Sequence, residues 1–215
     1  MSNMYPWVSH TWNPIKGRCP HKCKYCYYQS NPRFKKLIGD LRLDDKALSD
    51  NLGFNKTIFV GSSTDIFADD VPDVWIKLVL GKCVLCDKNK YLFQTKNPDR
   101  FKDFIFPENT ILGVTIETNR DYECSKAPPT IHRYYSFKGV ICDKKMVSIE
   151  PLLDFDLVPF LNMIKGIKPI FVSIGADSKG NNLPEPSKEK TLALIRELKE
   201  FTEVRVKDNL KRIIG

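Results

Sequence analysis

The sequence predicts an α/β fold in which short parallel strands alternate with helices. Apolar, β-branched runs recur at intervals of roughly 25 to 40 residues, and helical patterns lie between them. The polar residues that we single out below follow directly after the strands, at the edge where barrel-type enzymes carry their active sites. No G-x-G-x-x-G or phosphate-loop motif follows a strand, so the usual support for a doubly wound nucleotide-binding sheet is missing. A doubly wound sheet and a barrel-like sheet remain the two alternatives.

The composition indicates one globular domain over residues 1–215. Hydrophobic residues make up 42% of the chain and charged residues 28%, which is enough apolar material for a sizeable core. No apolar run is long enough for a membrane span, and no apolar signal region opens the chain. We therefore expect a cytoplasmic protein without membrane contact, and a monomer.

The charge and the number of cysteines indicate the kind of partner and the redox compartment of the protein. The chain has 34 basic and 26 acidic residues, for a formal net charge of +8. This excess indicates a polyanionic partner, although lysines that only solvate helix faces are an equal alternative. The seven cysteines are an odd number, and three of them share one short loop, which favours a reducing compartment over a secreted disulfide framework.

The strands are predicted from the apolar runs and the turns that bound them. The first lies within residues 7–15 and leads into a cysteine-rich loop, because Pro14 and Gly17 end it. The others are short and apolar, with the length of buried parallel strands. They are predicted at residues 56–61, 91–95, 110–116, 145–149, 169–174 and 204–206.

Helices are expected between these strands. The last of them is capped by Ser187 and is predicted to turn Leu192, Ile195 and Leu198 inward. The stretch that contains Cys124 shows no regular pattern. The other helices are predicted at residues 44–52, at 70–86, after Asn97 and Pro98 with Phe101, Phe104 and Ile105, and around 156–164.

Residues 18–28 contain Cys19, Cys23 and Cys26 at a C-x3-C-x2-C spacing. One short loop at this spacing wraps three sulfur atoms around a single metal centre. A structural zinc ion takes four protein ligands, and electron-carrying iron–sulfur clusters normally have four cysteines at other spacings. A four-iron cluster held by three cysteines instead keeps one iron open to a small molecule.

Other uses of the cysteines remain open at this point. Free buried cysteines are common, and Cys83 and Cys86 continue the apolar face of a helix. Cys142 precedes its strand, so we expect it at the edge opposite to the cysteine loop. The zinc alternatives combine Cys23 and Cys26 with Cys83 and Cys86, or the three loop thiols with His10 or His21.

The cysteine loop resembles the radical S-adenosylmethionine (SAM) signature, including an aromatic residue, Tyr25, just before the third cysteine. Further segments extend the resemblance over nearly the whole chain, to a family of small, functionally uncharacterised radical SAM proteins encoded by phages and prokaryotes. These segments are residues 11–14, 59–62 with Asp65, 95–96, 112–115 with Glu117, 147–153 and 206–207.

The resemblance implies an enzyme with two cofactors. Cys19, Cys23 and Cys26 would hold a [4Fe-4S] cluster whose open iron binds SAM. An external electron donor of the flavodoxin or ferredoxin type would reduce the cluster, and SAM would then yield a 5′-deoxyadenosyl radical that abstracts hydrogen from a substrate. The implied fold is an open partial (β/α)6-type TIM-like barrel, to which a short seventh strand can be added, and SAM would lie across the strand ends.

The same resemblance assigns roles to residues that follow the strands. Lys96 is a partner for the SAM carboxylate, and Glu117 for the ribose hydroxyls, because a carboxylate accepts two hydroxyl hydrogens well. A helix-cap pair between Lys96 and Asp99 is the alternative. The other predicted cofactor contacts are Tyr25, the group Ser62, Ser63 and Asp65 in place of the Gly-Gly-Glu-Pro of the wider superfamily, and Glu150 with the Gly175–Ala176 turn on the adenine side.

The chain is little more than the predicted barrel core, and an open lateral face suits a bulky substrate. Our first hypothesis is an enzyme that modifies or repairs nucleic acid; the alternatives are modification of a protein side chain or a nucleotide, and a zinc-stabilised nucleic-acid-binding module without catalysis. Three basic clusters and four tyrosines are the candidate contacts to phosphates and bases. They are residues 33–36, residues 96–102, the group Arg205, Lys207, Lys211 and Arg212, and Tyr27, Tyr28, Tyr134 and Tyr135.

Cys124 lies just beyond a strand end, on the predicted catalytic side. We predict that its thiol returns a hydrogen atom to a substrate radical, as in the spore photoproduct lyase group. A packed, inert cysteine is the alternative.

Overall fold

The centre of the structure, a computed structural model that describes residues 5–30 and 38–215, is a sheet of seven parallel strands. The strands are short and rich in β-branched and aromatic residues, which pack well on a pleated surface. They are β1 (His10–Trp12), β4 (Thr57–Val60), β5 (Lys90–Thr95), β6 (Thr110–Thr115), β7 (Lys145–Ile149), β8 (Phe171–Ile174) and β9 (Glu203–Val206), with β2 (Ile15–Lys16) and β3 (Arg42–Leu43) forming a separate antiparallel pair.

The strands follow one another in the order β1-β4-β5-β6-β7-β8-β9. Helices join most neighbouring strands, which is the connection that parallel strands require. The helices are α1 (Tyr27–Ser30), α2 (Asp45–Ser49), α3 (Asp73–Leu85), α4 (Thr130–Gly139), α5 (Leu157–Ile167), α6 (Lys188–Lys199) and α7 (Lys211–Ile214), with 3-10 turns at Pro98–Asp103 and Asp208–Leu210.

The outer face of the sheet packs against the helices. Residues in register on neighbouring strands share a face, and the row Trp12, Val60 and Phe93 is buried in the main core. Helix α5 contributes Phe160 and Ile164 to this core. This packing holds the strands in register, so that their carboxyl ends form one edge.

The inner face of the sheet curves around Tyr5. The Tyr5 hydroxyl donates to Gln94 Oε1 at 2.7 Å and lies 3.1 Å from Ser148 Oγ. Its ring centroid lies 5.8 Å from that of Phe59 and 5.2 Å from Lys207 Nζ. These partners belong to β4, β5, β7 and the residue after β9, and in a flat sheet β4 and β9 would stand roughly 24 Å apart. The sheet is therefore an open, curved α/β sheet; in the described residues β1 and β9 are its edges and do not pair with each other.

Several expected elements differ from the observed ones. The first strand is shorter than residues 7–15, because the chain turns after Trp12 and starts the β2–β3 pair at Ile15. The segment after Asn97 is a short 3-10 helix, and Ile105, expected to help form it, is 92% exposed. In α6, Leu192 faces outward at 44% exposure, whereas Thr191 and Leu194 are buried beside Ile195 and Leu198.

Helix α4 was not expected from the sequence. Its two buried residues are Arg133 and Phe137, so its inward face lacks the apolar stripe that identifies an amphipathic helix. The arginine is buried because it pairs with a carboxylate from another element, a condition that a local pattern cannot show.

We also examined the helices for possible membrane spans. Within residues 5–30 and 38–215, none combines the length and apolar character needed to cross a bilayer.

Candidate metal and cofactor site

The cysteine loop follows β1 and β2 and lies at the carboxyl edge of the parallel strands. Two tight turns shape it: Lys22 N donates to Cys19 O at 3.3 Å, and Cys26 N donates to Cys23 O at 3.0 Å. Lys22 has a φ of 46°, which is uncommon for a residue other than glycine. Cys23 is buried, and Cys19 and Cys26 are half-buried. The loop thus carries three thiols within eight residues, one of them buried and two partly covered.

Asp65 anchors this loop to two neighbouring strands. Its carboxylate lies 2.8 Å from His21 Nε2 and accepts hydrogen bonds from Thr95 Oγ1 and the Lys96 backbone N–H, both at 2.8 Å. Burial alone would raise the pKa of Asp65, but the charge and hydrogen bond of His21 and the bonds from Lys96 and Thr95 lower it to about 2. Asp65 is therefore an ionised hub that fixes the cysteine loop against β5.

The donor chemistry of the loop fits an iron–sulfur cluster. Burial, followed by the charge of Asp65, raises the pKa of Cys19 to about 12, and burial also raises the pKa of Cys23. A metal would replace these protons, since a coordinating thiol is deprotonated. In residues 5–30 and 38–215, no three His, Cys, Asp or Glu side chains are grouped to hold a single metal ion. A four-iron cluster binds each thiolate at a different iron, so its ligands stand farther apart than those of one ion.

A network of four side chains, of which Glu117 and Arg133 are buried and Tyr25 and Lys96 are half-buried, lies against the thiols. Glu117, 1% exposed, accepts hydrogen bonds from the Tyr25 hydroxyl and from Arg133 Nη1, the latter at 2.8 Å. Lys96 Nζ lies 3.8 Å from Glu117 Oε1 and 5.5 Å from the centre of the Tyr25 ring. The network therefore links the cysteine loop to β5, to β6 and to helix α4.

All three charged members of this network are ionised. Burial raises the pKa of Glu117, but the charges of Arg133 and Lys96 outweigh burial and lower it. Burial lowers the pKa of Lys96, but the negative charges of Cys23 and Glu117 outweigh it and raise the pKa. Lys96, Arg133 and Glu117 together carry one net positive charge, which offsets the negative charge that metal-bound thiolates bring.

Cys124 lies on a loop that is fastened to the cysteine loop. Lys24 N donates to Cys124 O at 2.8 Å, and Lys126 N donates to His21 O at 2.6 Å. Burial, together with the charges of Glu117 and Cys23, raises the pKa of the Cys124 thiol to about 11. The thiol lines a cavity of about 330 Å³, whose wall also includes Glu117, Arg133 and Leu153.

Ser62 and Ser63 belong to the turn after β4. Gly61 opens this turn with a φ of +77°, a conformation that glycine adopts without steric cost. Both serine hydroxyls donate to Asn13 Oδ1, at 3.2 Å from Ser62 and 3.0 Å from Ser63. Asn13 is a positioning residue that sequence reasoning missed, because nothing in its segment marks it as a hydrogen-bond acceptor for a distant turn.

Glu150 lies at the carboxyl end of β7 and is held by two donors. Ser173 Oγ donates to its Oε1 at 2.6 Å, and Lys207 Nζ donates to its Oε2 at 2.8 Å. Gly175 is packed against this pair: a Cβ there would stand 3.4 Å from Glu150 Cγ and 3.2 Å from Lys207 Cδ. The predicted residues Glu150 and Gly175 are thus neighbours, and Ser173 and Lys207 join them.

The four cysteines of the first zinc alternative do not lie together in the structure. Cys83 is fully buried near the end of α3, a helix that runs back toward the amino ends of the strands. The carbonyl of Cys86 accepts a hydrogen bond from Tyr91 at the start of β5. Cys83 and Cys86 therefore lie at the edge opposite to Cys23 and Cys26. Cys142 lines a separate cavity at that opposite edge, as expected.

The structure changes the interpretation of the basic clusters. Residues 33–36 lie outside the described residues. In the cluster at 96–102, Lys96 is buried against Glu117, Arg100 pairs with Asp73, and Lys102 pairs with Asp99. The late group is also paired: Arg205 with Glu203, Lys207 with Glu150, Lys211 with Asp208 and Arg212 with Glu185. Each of these cations already pairs with an acidic side chain of the same chain. The two described clusters therefore do not present a row of unpaired positive charges to a phosphate backbone.

The tyrosine pairs lie in different places. The ring centroids of Tyr27 and Tyr28 are 4.4 Å apart, directly after the cysteine loop. Tyr134 lies on α4 and contacts α5: a Cβ on Gly166 would stand 2.6 Å from its hydroxyl oxygen. Tyr134 and Tyr135 therefore belong to the helix layer, and only the first pair adjoins the candidate site.

Comparison with solved structures shows a shared fold. A mutant of spore photoproduct lyase with bound AdoMet and dinucleoside spore photoproduct matches with a TM-score of 0.68 and 12% identity, over 95% of this chain and 78% of that chain. A second mutant of the same protein matches with a TM-score of 0.66 and 13% identity, over 95% and 78%. A third, with dinucleoside spore photoproduct, matches with a TM-score of 0.63 and 13% identity, over 90% and 74%.

Comparison by sequence gives a family but no characterised relative. No curated protein matched the chain. Residues 2–166 match the family described as "Protein of unknown function (DUF5131)", and the chain therefore belongs to that family.

Proposed function

We propose that this protein is a radical SAM enzyme with a [4Fe-4S] cluster on Cys19, Cys23 and Cys26. The observation that carries the proposal is the placement of three thiols on one loop at the carboxyl edge of a curved parallel sheet, beside the network of Tyr25, Lys96, Glu117 and Arg133. The fold shared with a protein whose structure contains AdoMet supports it.

The chemistry of the proposal needs one electron for each SAM. When bound to Cys19, Cys23 and Cys26, a cluster would supply SAM with the electron of a flavodoxin- or ferredoxin-type donor for reductive cleavage to methionine and a 5′-deoxyadenosyl radical, which would abstract hydrogen from the substrate. The residues of the chain bind SAM and orient it. Lys96 pairs with the SAM carboxylate, and Glu117 accepts a ribose hydroxyl while sharing its Oε1 with Tyr25.

The observed contacts refine two of the predicted roles. The carboxylate oxygen atoms of Asp65 already form hydrogen bonds with His21, Thr95 and Lys96. We therefore assign Asp65 to positioning the cysteine loop. The hydroxyls of Ser62 and Ser63 donate to Asn13 Oδ1. Their oxygen lone pairs are left to accept hydrogen bonds from the ammonium group of SAM. Glu150 and Gly175 border the adenine.

Cys124 is the proposed hydrogen donor to the substrate radical. Its raised pKa keeps the thiol protonated near neutral pH, and only the protonated form carries a hydrogen atom to give. The S–H bond would break homolytically, the hydrogen atom would go to the carbon radical, and an electron and a proton from the external donor system would return the thiyl radical to the thiol.

We propose nucleic acid as the substrate class. The support is the fold shared with a protein solved with a dinucleoside photoproduct and the overall charge of +8. Binding to single-stranded DNA, measured by fluorescence anisotropy, should weaken strongly between about 50 and 200 mM salt. A protein that is indifferent to DNA at low salt would instead favour a protein side chain or a free nucleotide as substrate.

Lys96→Met should lower the midpoint potential of the cluster. The Lys96 ammonium, whose side chain is 16% exposed, stabilises the extra negative charge of the reduced state, and a nearby unit charge contributes on the order of 2 kcal/mol at an effective dielectric constant of about 20. For a one-electron couple this corresponds to roughly 70–100 mV. Redox titration followed by EPR, without SAM, measures the shift. Lys102→Met, which removes an exposed lysine paired with Asp99, should leave the potential unchanged, and an equal potential in both variants would refute the role of Lys96.

The test of the proposed function is anaerobic reconstitution with iron and sulfide. We expect about four iron and four sulfide per chain, bleaching on reduction, and 5′-deoxyadenosine when the reduced protein meets SAM. Bound zinc without sulfide, together with intact SAM, would support the zinc-stabilised binding module and rule out the radical enzyme.

A further inference from the structure

Helix α3 exposes a stripe of apolar residues to solvent. Val74, Leu78 and Leu85 are 59%, 50% and 83% exposed, and Gly81 lies between them on the same face. The opposite face of the helix is buried in the main core through Ile76, Val79, Leu80 and Cys83. Apolar residues on two opposite faces are typical of a helix that is covered on both faces. Within residues 5–30 and 38–215, only one face of α3 is covered.

The spacing of the stripe is that of a helix-packing seam. Val74, Leu78, Gly81 and Leu85 are separated by steps of four, three and four positions, which is the a/d repeat of a coiled coil. Outside the helix itself, no heavy atom of the described residues lies within 4 Å of a Cβ built on Gly81. Glycine inside a helix is unfavourable relative to alanine, and the open space above Gly81 is a place where the side chain of another helix fits.

We propose that this stripe is the interface of a homodimer, in which α3 packs antiparallel against α3 of a second copy. The steps of four, three and four positions read the same in both directions. A two-fold axis at the middle of the stripe therefore places Val74 against the partner's Leu85, and Leu78 against the partner's Gly81. The central leucine then meets the position that has no side chain, so the stripe is complementary to itself, as a two-fold interface requires.

The charges beside the stripe favour the antiparallel order. Lys77 and Lys82 border the stripe on opposite sides, at the positions that set the orientation of paired helices. In a parallel pair, Lys77 would face the partner's Lys82, and the two charges would repel. In an antiparallel pair each side of the seam meets the same side of the partner, so Lys77 lies beside the partner's Val84 and Lys82 beside the partner's Trp75. An ammonium group next to a tryptophan ring is favourable.

The interface does not depend on the proposed function, and it replaces the monomer that we expected from composition. Helix α3 has 13 residues and is about 20 Å long, so its seam is small for a permanent dimer. We therefore expect a reversible dimer. Sedimentation velocity under reducing conditions, over about a hundredfold range of protein concentration, should show a mass that rises from 24.8 kDa toward twice that value.

Leu78→Lys tests the seam. It places an ammonium group at the centre of the apolar contact and should weaken association by roughly tenfold or more. Leu192→Lys is the matched control, because Leu192 is an exposed leucine on another helix, α6, and lies outside the stripe. This control should associate like the unmodified protein. Circular dichroism verifies that both variants are folded.

The double variant Val74→Glu with Leu85→Lys tests the antiparallel order. Either substitution alone places a charge against an apolar residue of the partner and should weaken the dimer. Together, in an antiparallel pair, they place the new carboxylate against the new ammonium group at both ends of the seam, and the double variant should associate roughly tenfold more tightly than either single variant. In a parallel pair they would set like charges against each other.

A protein that sediments as a monomer at every concentration would overturn the inference, as would a dimer that Leu78→Lys leaves intact. A monomer that binds vesicles of phosphatidylserine and phosphatidylcholine, and loses this binding in Leu78→Lys, would assign the stripe to a lipid surface and would also overturn it. A double variant that associates no better than the single variants would refute the antiparallel order. If Leu78→Lys does not fold, the comparison of the single and double variants still decides.

Discussion

Replacement of any one of Cys19, Cys23 and Cys26 by alanine should abolish the cluster and all formation of 5′-deoxyadenosine. The three thiols lie on one loop with tight turns at Cys19 and Cys23, and a cluster held by three cysteines loses one of its three protein ligands in each variant. We expect the purified variants to lack the iron–sulfur absorption after reconstitution and to leave SAM intact. Iron and sulfide assays with product chromatography measure both results.

Cysteine substitutions away from this loop provide the control. Cys142 lines a cavity at the opposite edge of the sheet, and Cys86 lies at the end of α3. Cys142→Ala and Cys86→Ala should therefore keep the full iron content and SAM cleavage. A loop variant that retains the cluster, or a control variant that loses it, would show that the ligands were assigned wrongly.

Arg133→Met should reduce the free energy of unfolding by about 3–5 kcal/mol, the usual cost of breaking a buried ion pair from one side. Arg133 is 3% exposed and Glu117 is 1% exposed, so the substitution leaves a buried carboxylate without its guanidinium partner and with Lys96, 3.8 Å away, as its remaining ion pair. Arg133 Nη1 also donates to Thr115 O at 3.0 Å and Nε to Pro128 O at 2.6 Å, and both bonds would be lost. Urea unfolding followed by circular dichroism measures the change.

The double variant Arg133→Met with Glu117→Gln separates charge from packing. With both charges removed, no buried carboxylate is left without its guanidinium partner, and Lys96 loses only a contact of 3.8 Å, so we expect part of the lost stability to return. An Arg133→Met protein within about 1 kcal/mol of the unmodified one, a value typical of exposed pairs, would show that the pair does not behave as a buried one.

The strands could be predicted from sequence because their signal is local. A short apolar run that ends in a polar turn is sufficient to locate β4 to β8, and the polar residues that follow them lie at one edge because the strands are parallel. The helix after β6 could not be found this way. Its inward face carries Arg133, and the burial of an arginine depends on a carboxylate from another element.

The partners of the site residues could not be predicted for the same reason. The sequence places Lys207 in a basic cluster, yet in the folded chain its ammonium pairs with Glu150, which is 57 positions earlier. His21 was considered only as a metal ligand, yet it lies against Asp65, which is 44 positions away. The residue type suggests a charge or a donor, but only the folded chain shows which group neutralises it.

The position of Tyr5 limits how deep a target can enter. Together with Val8 it fills the amino-terminal half of the inner face, against Phe59, Leu92 and Met146. The Tyr5 hydroxyl reaches Gln94 and Ser148, so the inner face is filled below the carboxyl edge of the sheet. If the target is a base of a duplex, it must leave the stack to reach that edge. Such extrusion costs a few kcal/mol and is easiest for damaged, mismatched or single-stranded positions. The filled inner face would then select the state of the nucleotide before any chemistry begins.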